Sequence, residues 1–184
     1  MTIRTILILA VPAALAIATT ASAQFFGGDP LLTAIQEGSP GDVNDAVLTG
    51  ESVHKKSTDG TPAIVLASHR RNADIVKVLL TAGARPNDAA RDGETALTVA
   101  AGNGDDEIVA LLLAAKADAN KPGALRETPL IRAVRGQHAA VVKLLIEAKV
   151  DLDQTDSSGA TALSIAEVLR DERVAALLRK AGAE

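Results

Sequence analysis

Asp92-Gly93-Glu94-Thr95-Ala96-Leu97 is the stretch that decides the fold, because its pattern returns at a fixed interval. Glu127-Thr128-Pro129-Leu130 and Gly159-Ala160-Thr161-Ala162-Leu163 repeat it, and Thr95, Thr128 and Thr161 stand 33 residues apart. Asp59-Gly60-Thr61-Pro62 lies a further 33 residues upstream of Asp92-Gly93-Glu94-Thr95. A period of this size marks one supersecondary unit copied side by side. No copy can bury its apolar face alone, so the copies must stack into a solenoid.

Within one copy the residue types dictate a turn followed by two helices. Asp92-Gly93 makes the turn, and Thr95 is placed to cap a short first helix running from Ala96 to about Ala101. Gly102-Asn103-Gly104 ends it. Asp105, Asp106 and Glu107 open a second helix, where acidic side chains complement the positive helix end. Ile108, Val109, Leu112 and Leu113 then recur at helical spacing as its buried stripe. The neighbours follow in register, with Pro129 in the first helical turn where proline is tolerated. Second helices are expected at Ile75 to Leu80, Val141 to Ile146 and Val174 to Leu178. A degenerate unit precedes these four. Pro30 to Ile35 matches a first helix and Val43 to Leu48 a second, joined by an irregular Ser39-Pro40-Gly41 turn. Irregular end units are expected, since terminal repeats face water on one side. The units fall at about 29–57, 58–90, 91–123, 124–156 and 157–184.

Composition narrows the rest. Phe25 and Phe26 are the only aromatics, so the core must be built from Ala, Leu, Ile and Val. Cysteine is absent, which removes disulfides, thiolate nucleophiles and Cys-type zinc sites. The formal net charge of -4 carries no nucleic-acid signature.

Residues 1–23 do not belong to the array. Arg4 precedes an apolar run from Ile6 to Ala18, and Ala21-Ser22-Ala23 supplies small residues for cleavage before Gln24. This reads as a secretory signal peptide. The run is too short for a membrane span, which needs about 20 residues. The expected location after cleavage is periplasmic or secreted, with no stable membrane anchor. Residues 24–28 form a short segment before the array, in which Phe25 and Phe26 either touch a membrane or a partner, stay disordered, or fold back over the first unit as a cap.

The units resemble ankyrin repeats, each a turn and two antiparallel helices around a Thr-Pro-Leu-His motif. The resemblance covers residues 29–184 and implies an all-α ankyrin-repeat solenoid of four recognisable repeats plus a degenerate N-terminal capping repeat. The chain departs from the family at two places. Val65, Thr98, Ile131 and Ser164 replace the motif His, which implies partial loss of its tethers between turns. The helix-end Gly is kept at Gly83 and Gly182 but becomes Lys116 and Lys149. The resemblance implies a left-handed backbone there, which disfavours lysine.

No catalytic constellation is visible. His54, His69 and His138 are the only histidines, and no two are spaced for a local zinc site. His138 sits where ankyrin units commonly carry a structural His at the start of the second helix. Asp151 to Asp156 resembles the opening of a calcium loop, but Asp156 replaces the required Gly and Ala162 the bidentate Glu. No enzyme activity, cofactor or metal is expected.

The resemblance implies binding of another protein through turn tips and the groove side of the first helices. At the tips this selects His54, Lys55, Lys56, Arg91 and Arg126, and on the first helices His69, Arg70, Arg135, Val168 and Leu169. This set is more basic than the chain as a whole, so it either attracts an acidic partner surface or is ordinary solvated charge. Val168 and Leu169 either form a sticky patch or pack against the chain end. A monomeric protein-binding scaffold is the expected function. A secreted effector or toxin-neutralising protein acting on a foreign target is the second reading.

Overall fold

The computed structural model describes residues 28–183, in which ten α-helices form five antiparallel pairs. The leader, its cleavage point and Phe25-Phe26 lie outside the described residues. The pairs are α1 Pro30–Glu37 with α2 Pro40–Leu48, α3 Ala63–His69 with α4 Ala73–Thr81, α5 Ala96–Asn103 with α6 Asp106–Ala114, α7 Pro129–Arg135 with α8 Ala139–Glu147, and α9 Ala162–Val168 with α10 Glu172–Ala181. First helices pack on neighbouring first helices and second helices on second helices, giving two parallel layers. Among the described residues no helix is long and apolar enough to cross a membrane.

The packing repeats with the sequence. Ala34, Ala67, Ala100, Ala133 and Ala166 form a buried column through the first helices, 33 residues apart. Only a methyl group separates adjacent backbones there, so the first helices approach closely. Leu79, Leu112, Leu145 and Leu178 form the matching column in the second helices, each at 0% exposure. The buried hydrophobic residues are all aliphatic, with no aromatic among those described.

The capping chemistry follows the threonines. Thr95, Thr128 and Thr161 accept from the backbone N–H three residues on, capping α5, α7 and α9. The register places Pro62 at this position in the second unit, and α3 has no side-chain cap. Thr98 and Ser164, two of the motif-His replacements, donate their hydroxyls to the carbonyls of Thr95 and Thr161 at 2.9 Å. They close their own turns rather than reach a neighbour. Antiparallel bridges pair Lys56 with Pro62, Ala89 with Thr95 and Thr155 with Thr161 across the turn stems. In the fourth unit the N–H needed to close the bridge would belong to Pro129, which has none.

Two boundaries differ from the sequence reading. Ser39-Pro40-Gly41 is not an irregular turn: α2 starts at Pro40, with Ser39 capping the N–H of Asp42 at 3.3 Å. Proline suits this first helical position because its missing N–H would have no partner there. The helix α5 also runs on to Asn103 before Gly104 turns left-handed.

Lys116 and Lys149 adopt φ of 64° and 58°, in register with Gly50, Gly83 and Gly182. A Cβ in this region costs about 1 kcal/mol relative to glycine. Lys116→Gly and Lys149→Gly are each expected to raise the melting temperature by roughly 2–4 °C for a chain of this size. Thermal denaturation followed by circular dichroism checks this. Unchanged or lowered melting in both variants would contradict the role of these backbone positions.

Candidate functional site

The stacking sets residues 33 positions apart into rows along the exposed edge of the first-helix layer. One row runs Gln36, His69, Gly102, Arg135, Val168; the next runs Glu37, Arg70, Asn103, Gly136, Leu169. Turn tips from successive units flank the start of each first helix and form the other wall of the groove. Val168 is 82% exposed and Leu169 39%, so they form a solvent-facing apolar pair rather than packing on the chain end.

An ion-pair chain crosses the floor of this groove. His69 Nε2 lies 3.5 Å from Glu94 Oε2, and Arg132 donates to Glu94 Oε1 at 2.6 Å. Arg132 also reaches Glu127 Oε2 at 3.3 Å, while Arg135 Nε lies 2.7 Å from Glu127 Oε1 as an ion pair. Arg135 finally pairs with Asp156, where the fourth unit runs into the turn of the fifth. Glu127 and Asp156 are buried, so both carboxylates depend on these partners. The chain links the second unit to the turn that leads into the fifth and fixes Arg132 and Arg135 in place. The sequence reading missed Arg132, Glu94 and Glu127. The available signal was that Glu94 and Glu127 share a register position, with two arginines three residues apart on the helix that follows.

The selected residues therefore divide. Arg135 is committed to Glu127 and Asp156. Lys55 is half-buried and pairs with Asp29 and Glu51; hydrogen bonds to Asp29 first and Glu51 second hold its pKa above the ordinary value. It ties the first unit together. His54, Lys56, Arg70 and Arg91 are exposed. Arg91 lies over the preceding turn, where a Cβ on Gly60 would sit 2.8 Å from its Nε. Arg126 occupies the register position of Gly60, Gly93 and Gly159 and takes φ of 59° itself, beside Leu125 at 57°. This fourth-unit tip leaves Leu125 70% exposed. Arg126 also lines a shallow cavity of about 320 Å³ with Pro122, Asp151, Asp153, Gln154 and Thr155.

On the side away from the tips, the second-helix caps tie neighbouring units together. Asn72 donates to the carbonyl of Gly38 at 3.3 Å, and Arg71 pairs with Asp105 at 2.7 Å. His138 bonds the carbonyl of Gly102 at 3.0 Å, a structural tether as its position implied. Asn87 and Asn120 accept from the backbone N–H of Asp118 and Asp151 at 2.7 and 2.8 Å. Asp151 also accepts from the N–H of Asp153 at 3.1 Å, closing its own turn. Among the described residues no group of three or more metal-ligating side chains converges.

Two turn carboxylates are acidified by the turns that they close. The Ser57 hydroxyl, then the Thr61 backbone N–H, lower the Asp59 pKa to about 2. The Ser158 hydroxyl and the Ala160 N–H, at 2.6 and 3.0 Å, hold Asp156 well below the ordinary carboxylate range. A carboxyl with a lowered folded pKa stabilises the fold fully above its unfolded value, near pH 4. That contribution disappears as pH falls through the folded value. Melting temperature should therefore drop between about pH 4 and pH 2. Asp59→Asn with Asp156→Asn should make that drop shallower; an equally steep drop in the double variant would contradict the assignment.

The family model for ankyrin repeats, in three copies, matches residues 31–123 and 116–184. The chain belongs to the ankyrin-repeat family, and its fold is the all-α repeat solenoid that its period implies. A search of curated proteins finds no match. Ankyrin repeats generally mediate protein–protein interaction and are typically non-catalytic scaffolds.

Proposed function

We propose that this chain is an exported, monomeric, non-catalytic scaffold that holds one protein partner in the groove between its turn tips and first helices. The observation that carries the reading is the groove itself. Exposed side chains stand in register along two rows, above a floor whose charges are already paired. A floor held by ion pairs is already ordered, so a partner does not have to order it on binding. The apolar pair Val168-Leu169 and the exposed Arg70 and Arg91 supply contacts above it, arginine being an effective anchor in interfaces. Residues 1–23 support export, and the periplasm of a Gram-negative cell is the proposed location.

The test is capture from periplasmic extract on the immobilised protein, read by mass spectrometry. Beside it runs a variant with Lys56, Arg70 and Arg91 changed to Ala; Arg135 is left intact because it holds the fold together. A partner kept by the parent and lost by the variant is the expected result. A partner retained equally by both places the interface elsewhere, and capture of no partner contradicts the periplasmic reading.

A further inference from the structure

The two groove rows change chemistry from one end to the other. At the second unit they present His69 and Arg70, with Arg91 on the adjacent tip. Among the described residues Arg70 and Arg91 have no ion-pair partner, whereas Arg71, Arg132 and Arg135 all do. Glu94, the carboxylate that faces His69, is already engaged by Arg132 at 2.6 Å. At the third unit the rows present Gly102 and Asn103, leaving a low stretch over which Arg132 folds: a Cβ on Gly102 would lie 3.2 Å from its Nε. At the fourth unit Arg135 is neutralised by Glu127 and Asp156, and Gly136 adds no side chain. At the fifth unit the rows end in exposed Val168 and Leu169. Unmatched positive charge thus stands at the second unit, past Gln36 and Glu37 of the first, and apolar surface at the fifth, with paired charge between them.

We infer that the groove takes an extended segment of a partner protein that is acidic at one end and apolar at the other, laid with its acidic end over the second unit and its apolar end over the fifth. The inference rests on the scaffold reading above and adds the chemistry and direction of what is bound. Opposite charge fixes the acidic end, and each wrong orientation sets carboxylates against apolar surface and leaves Arg70 and Arg91 unmatched. Three steps of about 10 Å between packed helices span roughly 30 Å. An extended chain rising about 3.3 Å per residue covers that in about nine residues.

The test is a displayed library of random twelve-residue peptides panned against the full chain. The expected consensus has Asp or Glu at one end and Leu, Ile, Val or Phe about eight residues away, in one chain direction. A synthetic peptide of that consensus is then measured by fluorescence anisotropy against two variants, Arg70→Glu with Arg91→Glu, and Val168→Asp with Leu169→Asp. All four residues are exposed, and circular dichroism verifies folding. Each variant should bind at least about tenfold more weakly, and repeat panning should lose only the acidic preference in the first and only the apolar preference in the second. A consensus without that polarity, or binding that neither variant changes, overturns this inference and leaves the scaffold reading standing. Absence of any enriched peptide overturns both. A dimer of the parent that Val168→Asp with Leu169→Asp converts to monomer assigns the apolar end to a second copy and also overturns it.

Discussion

Leu112→Ala is expected to lower stability by about 3 kcal/mol, within the range for a buried leucine truncated to alanine. For a chain of this size that corresponds to a fall in melting temperature of roughly 6–12 °C. Leu112 is fully buried in α6, in the third of five units, and its column contains Leu79, Leu145 and Leu178. Stability in a stacked array is approximately a sum of unit and interface terms between neighbours. A defect in the middle unit weakens the interfaces on both sides and uncouples the two halves. Leu178→Ala, in the last unit, faces a neighbour on one side only, so its unit frays while the others hold. Leu112→Ala should therefore lower and broaden the main melting transition, and Leu178→Ala should mainly add an early shoulder. Equal effects of the two, or a larger shift from Leu178→Ala, would contradict the solenoid accounting.

Glu127→Ala is the second large effect. Glu127 is 6% exposed, accepts from Arg132 and forms an ion pair with Arg135. Removing it withdraws one charge-assisted hydrogen bond and one ion pair, but both guanidiniums retain a second carboxylate and partial contact with water. The expected loss is about 2 kcal/mol, below the figure for a fully buried pair. Glu127→Gln should recover part of it, because its amide oxygen still accepts from one arginine. Chemical denaturation of the three proteins separates these cases. Equal stability of parent and Glu127→Ala would show that the chain of charges contributes nothing to the fold. The same variant leaves Arg135 with one carboxylate fewer, so the groove should bind acidic peptides more strongly even as the fold weakens.

The fold was legible because its determinants are periodic. The threonine caps, the alanine column and the leucine column all recur at the same interval, and each reports the same packing demand. The left-handed backbone at Lys116 and Lys149 could be read by aligning them with Gly83 and Gly182. The start of α2 was misread because Pro40 resembles a turn residue wherever a helix is not already assumed.

The site was less legible, for a physical reason. Ion pairing depends on where side-chain ends meet, and the period does not fix that. Arg132 joins Glu94, which is 38 residues away, to Glu127 on its own unit. Arg135 looked like an anchor for a partner because its carboxylates come from two different turns. Lys55 looked like a turn-tip cation, although Glu51 four residues before it was a visible partner; Asp29 became one only through the fold. Val168 and Leu169 were legible as an anomaly, since apolar residues stood where the first-helix register demands exposure.

The most direct test of the groove places a photo-crosslinking amino acid at Asn103, midway along the rows, and separately at Ala110 on the exposed face of α6. Both full-length proteins are produced in cells and irradiated, and adducts are identified by mass spectrometry. The account predicts a protein adduct from position 103 and none from position 110. Adducts from position 110 alone, or no protein adduct from position 103, would contradict it.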